Sequence, residues 1–307
     1  MLNEERKLRF FKEYGTSATY KNVVANLITK IAKYEDEVNK DIAEFDEDTM
    51  SRVLKEHAGF RAKNIRYSRQ MIRAYVLWCK QNGYKTTKAI FTASAEPCDR
   101  IREEMVSSPT HLKSVLNIYF EPSKEETVDV VYRTYLWLAF IGLPVDHAIE
   151  ITKGCIDLGQ KTITYNGSEY SIYDEAMTDI SAAYMLDEFW FKSVNVKKRK
   201  RVGGKRILRG FSESIDKKAL QTLIARKTKD RAPNSPHPTY TGFYISGIFY
   251  RQYLRELDGD DISFEDVIQC EIDKGMLSVA ANRSAHNQTV RDYCEDYQNW
   301  KKAFSLN

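Results

Sequence analysis

The chain has 307 residues, of which 42% are apolar and 29% charged, with a formal net charge of +4. That length accommodates two domains of ordinary size, and the balance of apolar and charged residues excludes a disordered or fibrous chain and describes a soluble globular protein. The modest charge permits nucleic-acid binding without requiring it, so local clustering has to carry that reading.

Five cysteines (Cys79, Cys98, Cys155, Cys270, Cys294) are scattered and form no C-x-x-C pair, which fits small buried residues in a reducing cytoplasm. The charged start MLNEERKLRFF does not read as a signal peptide. The longest apolar run, Val130 to Val145, contains Arg133 and falls short of the roughly 20 residues a membrane span needs. The expectation is a cytoplasmic protein with no membrane partner.

In chain order, Glu4–Tyr14 is a short charged amphipathic helix that stops at Gly15. Thr16 and Ser17 offer caps for a second helix, which runs to about Val38 on Val23, Val24, Leu27, Ile28 and Ile31. Asp46 or Asp48 caps a third, carrying Met50, Val53 and Leu54. A fourth, about Ala62–Gln81, buries Ile65, Met71, Ile72, Tyr75, Val76 and Trp78 and ends at Asn82-Gly83. Four helices with short connections predict a small bundle over 1–84. Residues 85–109 are punctuated by Thr86, Thr87, Ser94, Pro97, Ser107, Ser108 and Pro109 and read as a linker region, with a helix near Cys98–Val106.

From Glu125 the pattern is helical again, up to the apolar run Leu136, Leu138, Ala139, Phe140, Ile141. Gly142-Leu143-Pro144 breaks it, and a second apolar-periodic segment follows with Val145, Ala148, Ile149 and Ile151. Gly after one helix and Pro just inside the next are stop and start signals. The period then changes: Lys161–Tyr165, Asn166-Gly167 and Ser168–Ile172 read as strand, two-residue turn and strand. A helix follows at about Asp174–Phe191, then a basic tract, a helix at about Asp216–Thr228 and a Pro-rich loop over 232–238. A long aromatic helix, about Thr241–Leu257, and two or three more between Phe264 and Phe304 complete the chain. The fold class is mainly α, with a helical bundle over 1–84, a linker over 85–109, and a larger helical domain over 110–307 that carries a small β-hairpin or sheet.

Two basic features point to DNA. Lys197, Lys198, Arg199, Lys200, Arg201, Lys205, Arg206 and Arg209 crowd around Gly203-Gly204 with no acid among them. A basic run is often only a solvated loop, but this density beside a flexible glycine pair points to phosphate contact. In the fourth helix Arg66, Arg69 and Arg73 recur near one face, beside Lys63 and Asn64. They form either a solvent-facing stripe paired with Glu35, Asp36 and Glu37, or a helix lying in a major groove. In the groove Asn and Arg read base edges while Lys anchors phosphates. Thr19, Lys21 and Asn22 on the second helix join the second reading. The five histidines show no ligand spacing and no phosphate or dinucleotide fingerprint is present, so neither a metal nor a cofactor is expected. Asp258-Gly-Asp-Asp-Ile-Ser263 reads as a turn that caps the following helix.

The T-x-x-T-Y-K-N run from Thr16 to Asn22, the helix start at Phe45-Asp-Glu-Asp, and the runs opening at Lys63 and Ala74 resemble the SAM-like core-binding domain of tyrosine recombinases, the phage integrase family. With the later hairpin, the resemblance covers most of the chain. It implies an integrase-type fold whose active members attack a DNA phosphodiester with a tyrosine and hold the phosphate with two arginines and a lysine or histidine. The family's G-L-R-x-x-E segment falls on Gly142–His147, with Pro144 in the arginine slot and His147 in the glutamate slot. No histidine is followed three residues later by arginine, and the best placement of the H-x-x-R motif, Glu265 to Ile268, supplies neither residue. The hairpin turn is Asn166-Gly167, with Lys161 nearby, and Tyr293 and Tyr297 do not match the spacing of the family's terminal tyrosine.

The combination implies no catalytic residues and a protein that binds double-stranded operator DNA. It resembles the integrase-fold repressors of SPβ-like Bacillus prophages, which implies a role in maintaining lysogeny. Two alternatives stay open: a divergent active recombinase whose phosphate clamp uses Lys153, Lys161, Arg251 or Arg283, and a helical accessory protein without DNA. The family's exchange of C-terminal segments implies self-association through Trp300–Phe304, against self-packing of the same residues.

Overall fold

The computed structural model describes residues 2–14, 18–57, 59–94, 97–121, 127–187, 190–193, 196–200, 204–209, 215–230, 232, 235–260, 262–273 and 283–306; of these, 18–25, 57, 190–193, 196–200, 273 and 283–286 are described by backbone alone. The chain is mostly helical with small antiparallel sheets. It divides into two compact units between Ile101 and Arg102, a point that lies inside 85–109. Among the described residues no helix is long and apolar enough to cross a membrane.

The first unit holds α1 (Glu4–Tyr14), α2 (Ala18–Val38), α3 (Glu47–His57), α4 (Ala62–Gln81), α5 (Ala89–Thr92) and most of α6 (Cys98–Glu104). Helices α1 to α4 have the bounds that apolar period and punctuation predict. The caps expected at Thr16 and Ser17 lie outside the described residues. Asp46 accepts a hydrogen bond from the Thr49 N–H at 2.9 Å, the N-terminal capping geometry. The core gathers Phe10, Ile31, Tyr34, Phe45, Leu54, Ile72, Tyr75 and Cys79. Inside it, Lys7 Nζ meets Glu35 at 2.5 Å and Asp41 at 3.3 Å, all three side chains fully buried. Burial is the main force on Glu35 and pushes its carboxyl up, against the pull of Lys7. Within 85–109, α5 packs on α3 and α4, and Thr87 donates to Phe45 O at 2.6 Å, so the residues up to Ala93 are fastened to this unit.

The second unit is organised around one helix. α7 (Pro109–Tyr119) precedes α8 (Val128–Ile141), in which every residue from Asp129 to Ile141 is buried. A helix apolar all round belongs at the centre of a domain. Among its buried polar groups, Arg133 Nε and Trp137 Nε1 each donate to the Asp179 carboxylate at 2.7 Å, Arg133 Nη1 donates to Phe120 O at 3.0 Å, Thr134 donates to Asp179 O at 3.2 Å, and Asp129 accepts from Lys227 at 2.5 Å. Asp179 lies on α10 (Asp174–Met185), which packs on α8. The other large partner is α12 (Tyr240–Leu257). Gly247 lets the two helices touch, since a Cβ there would fall 1.9 Å from Phe140 O. α9 (Val145–Ala148) follows α8, and α11 (Lys217–Lys227), α13 (Phe264–Asp273) and α14 (Arg283–Ala303) complete the unit. Trp300 is fully buried, donates to Val106 O at 3.1 Å and packs on Phe304. The C-terminal aromatics are thus used within their own unit.

Strands β1 (Ile156–Asp157), β2 (Thr162–Tyr165) and β3 (Ser168–Ser171) form an antiparallel sheet in that order. Asn166 and Gly167 take φ of 49° and 76°, the two positive values that a tight hairpin of this twist demands. Three sequence expectations are corrected. The helix expected to reach Phe191 ends at Met185, because Trp190–Ser193 forms β4 and pairs with β5 (Val196–Lys200). The basic tract, for which a solvated loop is the alternative to phosphate contact, is therefore strand over Lys197–Lys200, with Arg201 and Gly203 outside the described residues. The segment after Pro144 makes only one helical turn, and its apolar residues Ala148 and Ile151 serve the core from a turn and an extended segment.

Candidate nucleic-acid interface

Helix α4 contains no acidic residue and five basic ones, Lys63, Arg66, Arg69, Arg73 and Lys80. Its buried stripe, including Ile65, Met71, Ile72, Tyr75 and Cys79, fixes the helix to the core. The opposite face carries Lys63, Asn64, Arg66, Tyr67, Gln70 and Arg73, all exposed. Cations in the first turn oppose the helix dipole, so Lys63 and Arg66 gain nothing from the fold there. A phosphate near the same turn would reverse that sign. Glu35 and Glu37, two of the acids that the pairing alternative requires, are engaged by Lys7 and by Arg52 at 2.7 Å.

The arginines are not equivalent. Arg69 is half-buried and donates through Nη2 to Ala93 O at 2.7 Å, so it ties α4 to the segment after α5. Arg73 lies over the Phe91 ring at 5.1 Å. Arg66 and Lys63 form the outward part of the set. Thr19, Lys21 and Asn22 fall in the first turns of α2, where only the backbone is described.

The basic tract in the second unit is divided as well. Lys197 to Lys200 lie on β5, which is described by backbone alone. Lys205 is exposed; Arg206 is paired with Glu150. Arg209 is 3% exposed and gives Nη1 to Gly204 O at 2.5 Å, and burial pulls its guanidinium pKa down. Its part is structural, which removes it from the phosphate-contacting set.

The joint after α8 is built backbone first. Gly142 takes φ of 110°, and the N–H groups of Gly142 and Leu143 bond back to Leu138 O at 3.2 and 3.0 Å. Arg251 on α12 donates through Nη1 to Phe140 O and Ile141 O at 3.0 and 2.9 Å. A Cβ at residue 142 would meet the same guanidinium at 2.7 Å, so glycine is required by conformation and by space. Pro144 caps α9 with φ of −58°. Tyr240, the first residue of α12, packs its ring at a tilt against Tyr135, centroids 4.5 Å apart, and donates its hydroxyl to Leu143 O at 2.5 Å. Complete burial raises its pKa far above the ordinary tyrosine value. His147 is half-buried beside the Tyr165 ring at 5.1 Å.

Glu265 and Ile268 are not brought here. Both lie on α13, which packs on α14; Ile268 is fully buried and Glu265 exposed. The residue against Leu143, next to Pro144, is Tyr240, and His237 precedes it by three. Of the other clamp candidates, Lys153 is paired with Asp187 at 2.8 Å and Lys161 with Asp174 at 2.6 Å, and the side chain of Arg283 is outside the description. Tyr297 is fully buried among Phe249, Phe264 and Trp300, and burial raises its hydroxyl pKa; Tyr293 is 9% exposed.

The first unit is thus a helical bundle with a cationic helix, and the second a larger helical body with a small antiparallel sheet. Residues 1–81 match the family model described as MrpR, N-terminal core-binding domain. No curated protein matches the chain. Among solved structures it is similar to XerA recombinase at 10% identity and a TM-score of 0.41, covering 97% of this chain and 96% of that one. It is similar as well to the Tn1549 transposon integrase in complex with transposon right end DNA, at 11% identity and a TM-score of 0.38, covering 94% and 98%.

Proposed function

We propose that the chain is a sequence-specific binder of double-stranded DNA that acts as a phage-type transcriptional repressor and carries out no strand transfer. The observation that carries the reading is Tyr240, a buried neutral hydroxyl tied to Leu143 O at 2.5 Å beside Pro144. Each cationic phosphate ligand is worth about 3 to 4 kcal/mol of transition-state stabilisation by analogy with an oxyanion-hole donor. Proline and a committed tyrosine supply none of it. The acid-free helix α4 and the core-binding match over residues 1–81 support retained DNA binding. A protein that holds its site without cutting it blocks a promoter. The resemblance to repressors of SPβ-like Bacillus prophages makes lysogeny maintenance the expected biological setting.

Selection of bound fragments from a host genome carrying such a prophage, followed by footprinting and titration, tests the binding. We expect protection of a defined operator and an affinity that falls steeply with salt. Equal affinity for operator and random duplex overturns the repressor reading, and no shift at all favours an accessory protein. A nicked suicide substrate tests the chemistry. A covalent protein–DNA adduct lost on Tyr293→Phe or Tyr297→Phe restores the active recombinase.

A further inference from the structure

Exchanging cations for aromatics leaves a space beside the joint. A cleft of about 260 Å³ opens between α8, α11 and the start of α12, walled by Tyr135, Ile224, Pro238 and Tyr240 and edged by Gln221 and Thr241. Among the described residues no carboxylate, lysine or arginine lines it, and His237 is the one basic group there. An anion therefore finds no counter-charge, unlike the phosphate that the resembled fold holds in this region.

Tyr135 is 1% exposed and its hydroxyl makes no hydrogen bond. Burial raises its pKa, so it stays a neutral donor, and Gln221 is the polar side chain that acts on it. The Tyr240 hydroxyl gives its proton to Leu143 O, so it is no donor to the cleft. A single water satisfies one hydroxyl, but this volume holds several, against walls that are mostly apolar. Such a site gains by exchanging those waters for a flat apolar body with a few matched polar atoms. The Gln221 amide presents a donor and an acceptor side by side, the complement of an amide-like edge.

We propose that this cleft binds an uncharged, planar heterocycle of nucleobase size, its acceptor on Tyr135 Oη and its donor–acceptor edge on Gln221. The volume suits a base rather than a full nucleotide, and the lining offers nothing to a phosphate.

The test uses the full chain without DNA, so it stands apart from the operator experiment. Adenine, thymine and nicotinamide serve as neutral probes in saturation-transfer NMR and calorimetry, with adenosine 5′-monophosphate as the charged comparator. At least one neutral probe is expected to bind with a Kd below about 1 mM. The monophosphate should bind no tighter than adenine. Tyr135→Phe should weaken binding about fivefold, the loss of one hydrogen bond. Ala225→Trp, at an exposed point of the rim, should fill the cleft and abolish binding with thermal melting unchanged, and Ala225→Leu is the milder filling should the larger one disturb the fold. Absence of binding by all three probes, tighter binding of the monophosphate, an unchanged affinity in Tyr135→Phe, or binding that survives a folded cleft-filling variant overturns the proposal.

Discussion

On α4, Lys63, Arg66 and Arg73 stand exposed on a helix whose own sequence carries no acid. At the joint after α8, Arg251 is turned onto the carbonyls of Phe140 and Ile141, and Tyr240 holds Leu143 O beside Pro144. Positive charge is exposed on α4 in the first unit. At the joint of the second, a cation closes a helix end beside buried aromatic packing. DNA attraction needs cations that water can reach and phosphates can displace counterions from. Transition-state stabilisation needs them fixed around one phosphate. In the proposed repressor the exposed cations of α4 meet the first requirement and the joint does not meet the second.

The largest expected effect separates the units by stability. In Gly247→Ala the new Cβ would fall 1.9 Å from Phe140 O and 2.7 Å from Phe140 C, both backbone, so α8 and α12 have to part. Overpacking of this kind costs about 3 kcal/mol or more. Hydrogen exchange should show protection lost across 102–306 and kept across 2–101. Uniform loss in both units would break the comparison, because stability would then be shared.

Arg251→Met asks whether that cation is structural. Charge-assisted hydrogen bonds to two carbonyls vanish, and the cost is about 2 kcal/mol in denaturant melts. DNA affinity should stay unchanged at temperatures where the variant is folded. A fall in affinity with intact stability would return Arg251 to the DNA-facing set.

Much of this contrast was legible in the residues, and the gaps have physical causes. Helices α1 to α4 could be bounded because each carries an apolar stripe closed by Gly, Asn or Asp. The hairpin was legible because Asn166-Gly167 supplies two positive φ values cheaply. β4 and β5 were not: Trp190 and Phe191 continue the apolar character of α10, and a run of lysines carries no strand period. Tyr240 could not be placed from the sequence, because only its hydrogen bond to Leu143 brings the start of α12 against the joint. Arg69 and Arg209 looked like their neighbours in sequence; the carbonyls of Ala93 and Gly204 are what set them apart.

Replacing Arg66 and Arg73 together by Ala tests the exposed side of the comparison. Specific affinity should fall by about 1 to 3 kcal/mol for each base edge that is no longer read, and the salt slope should drop by about 1 for each phosphate left unneutralised. Arg69→Ala should instead lower the stability of the first unit, since its guanidinium holds Ala93 O. Identical behaviour of all three arginines would erase the distinction between outward and structural cations on α4.

The smallest effect concerns the support beneath α4. Asp46 accepts from the Thr49 N–H at the start of α3, which packs on α4. That backbone hydrogen bond, the largest influence on the group, holds its carboxyl below the ordinary aspartate value. A carboxyl depressed in the folded state stabilises fully above its unfolded pKa, and the contribution is lost as pH falls through the folded one. Asp46→Ala should therefore cost about 0.5 kcal/mol at neutral pH, the low end for a cap because the carboxylate is exposed. The difference from the unaltered chain should vanish as pH falls below the ordinary aspartate range. If the first unit holds α4 in place for DNA, operator affinity should follow stability only where the variant begins to melt, and at lower temperature the two proteins should bind alike. A loss of affinity at temperatures where both are folded would mean that α3 takes part in binding, and the exposed face of α4 would no longer account for recognition by itself.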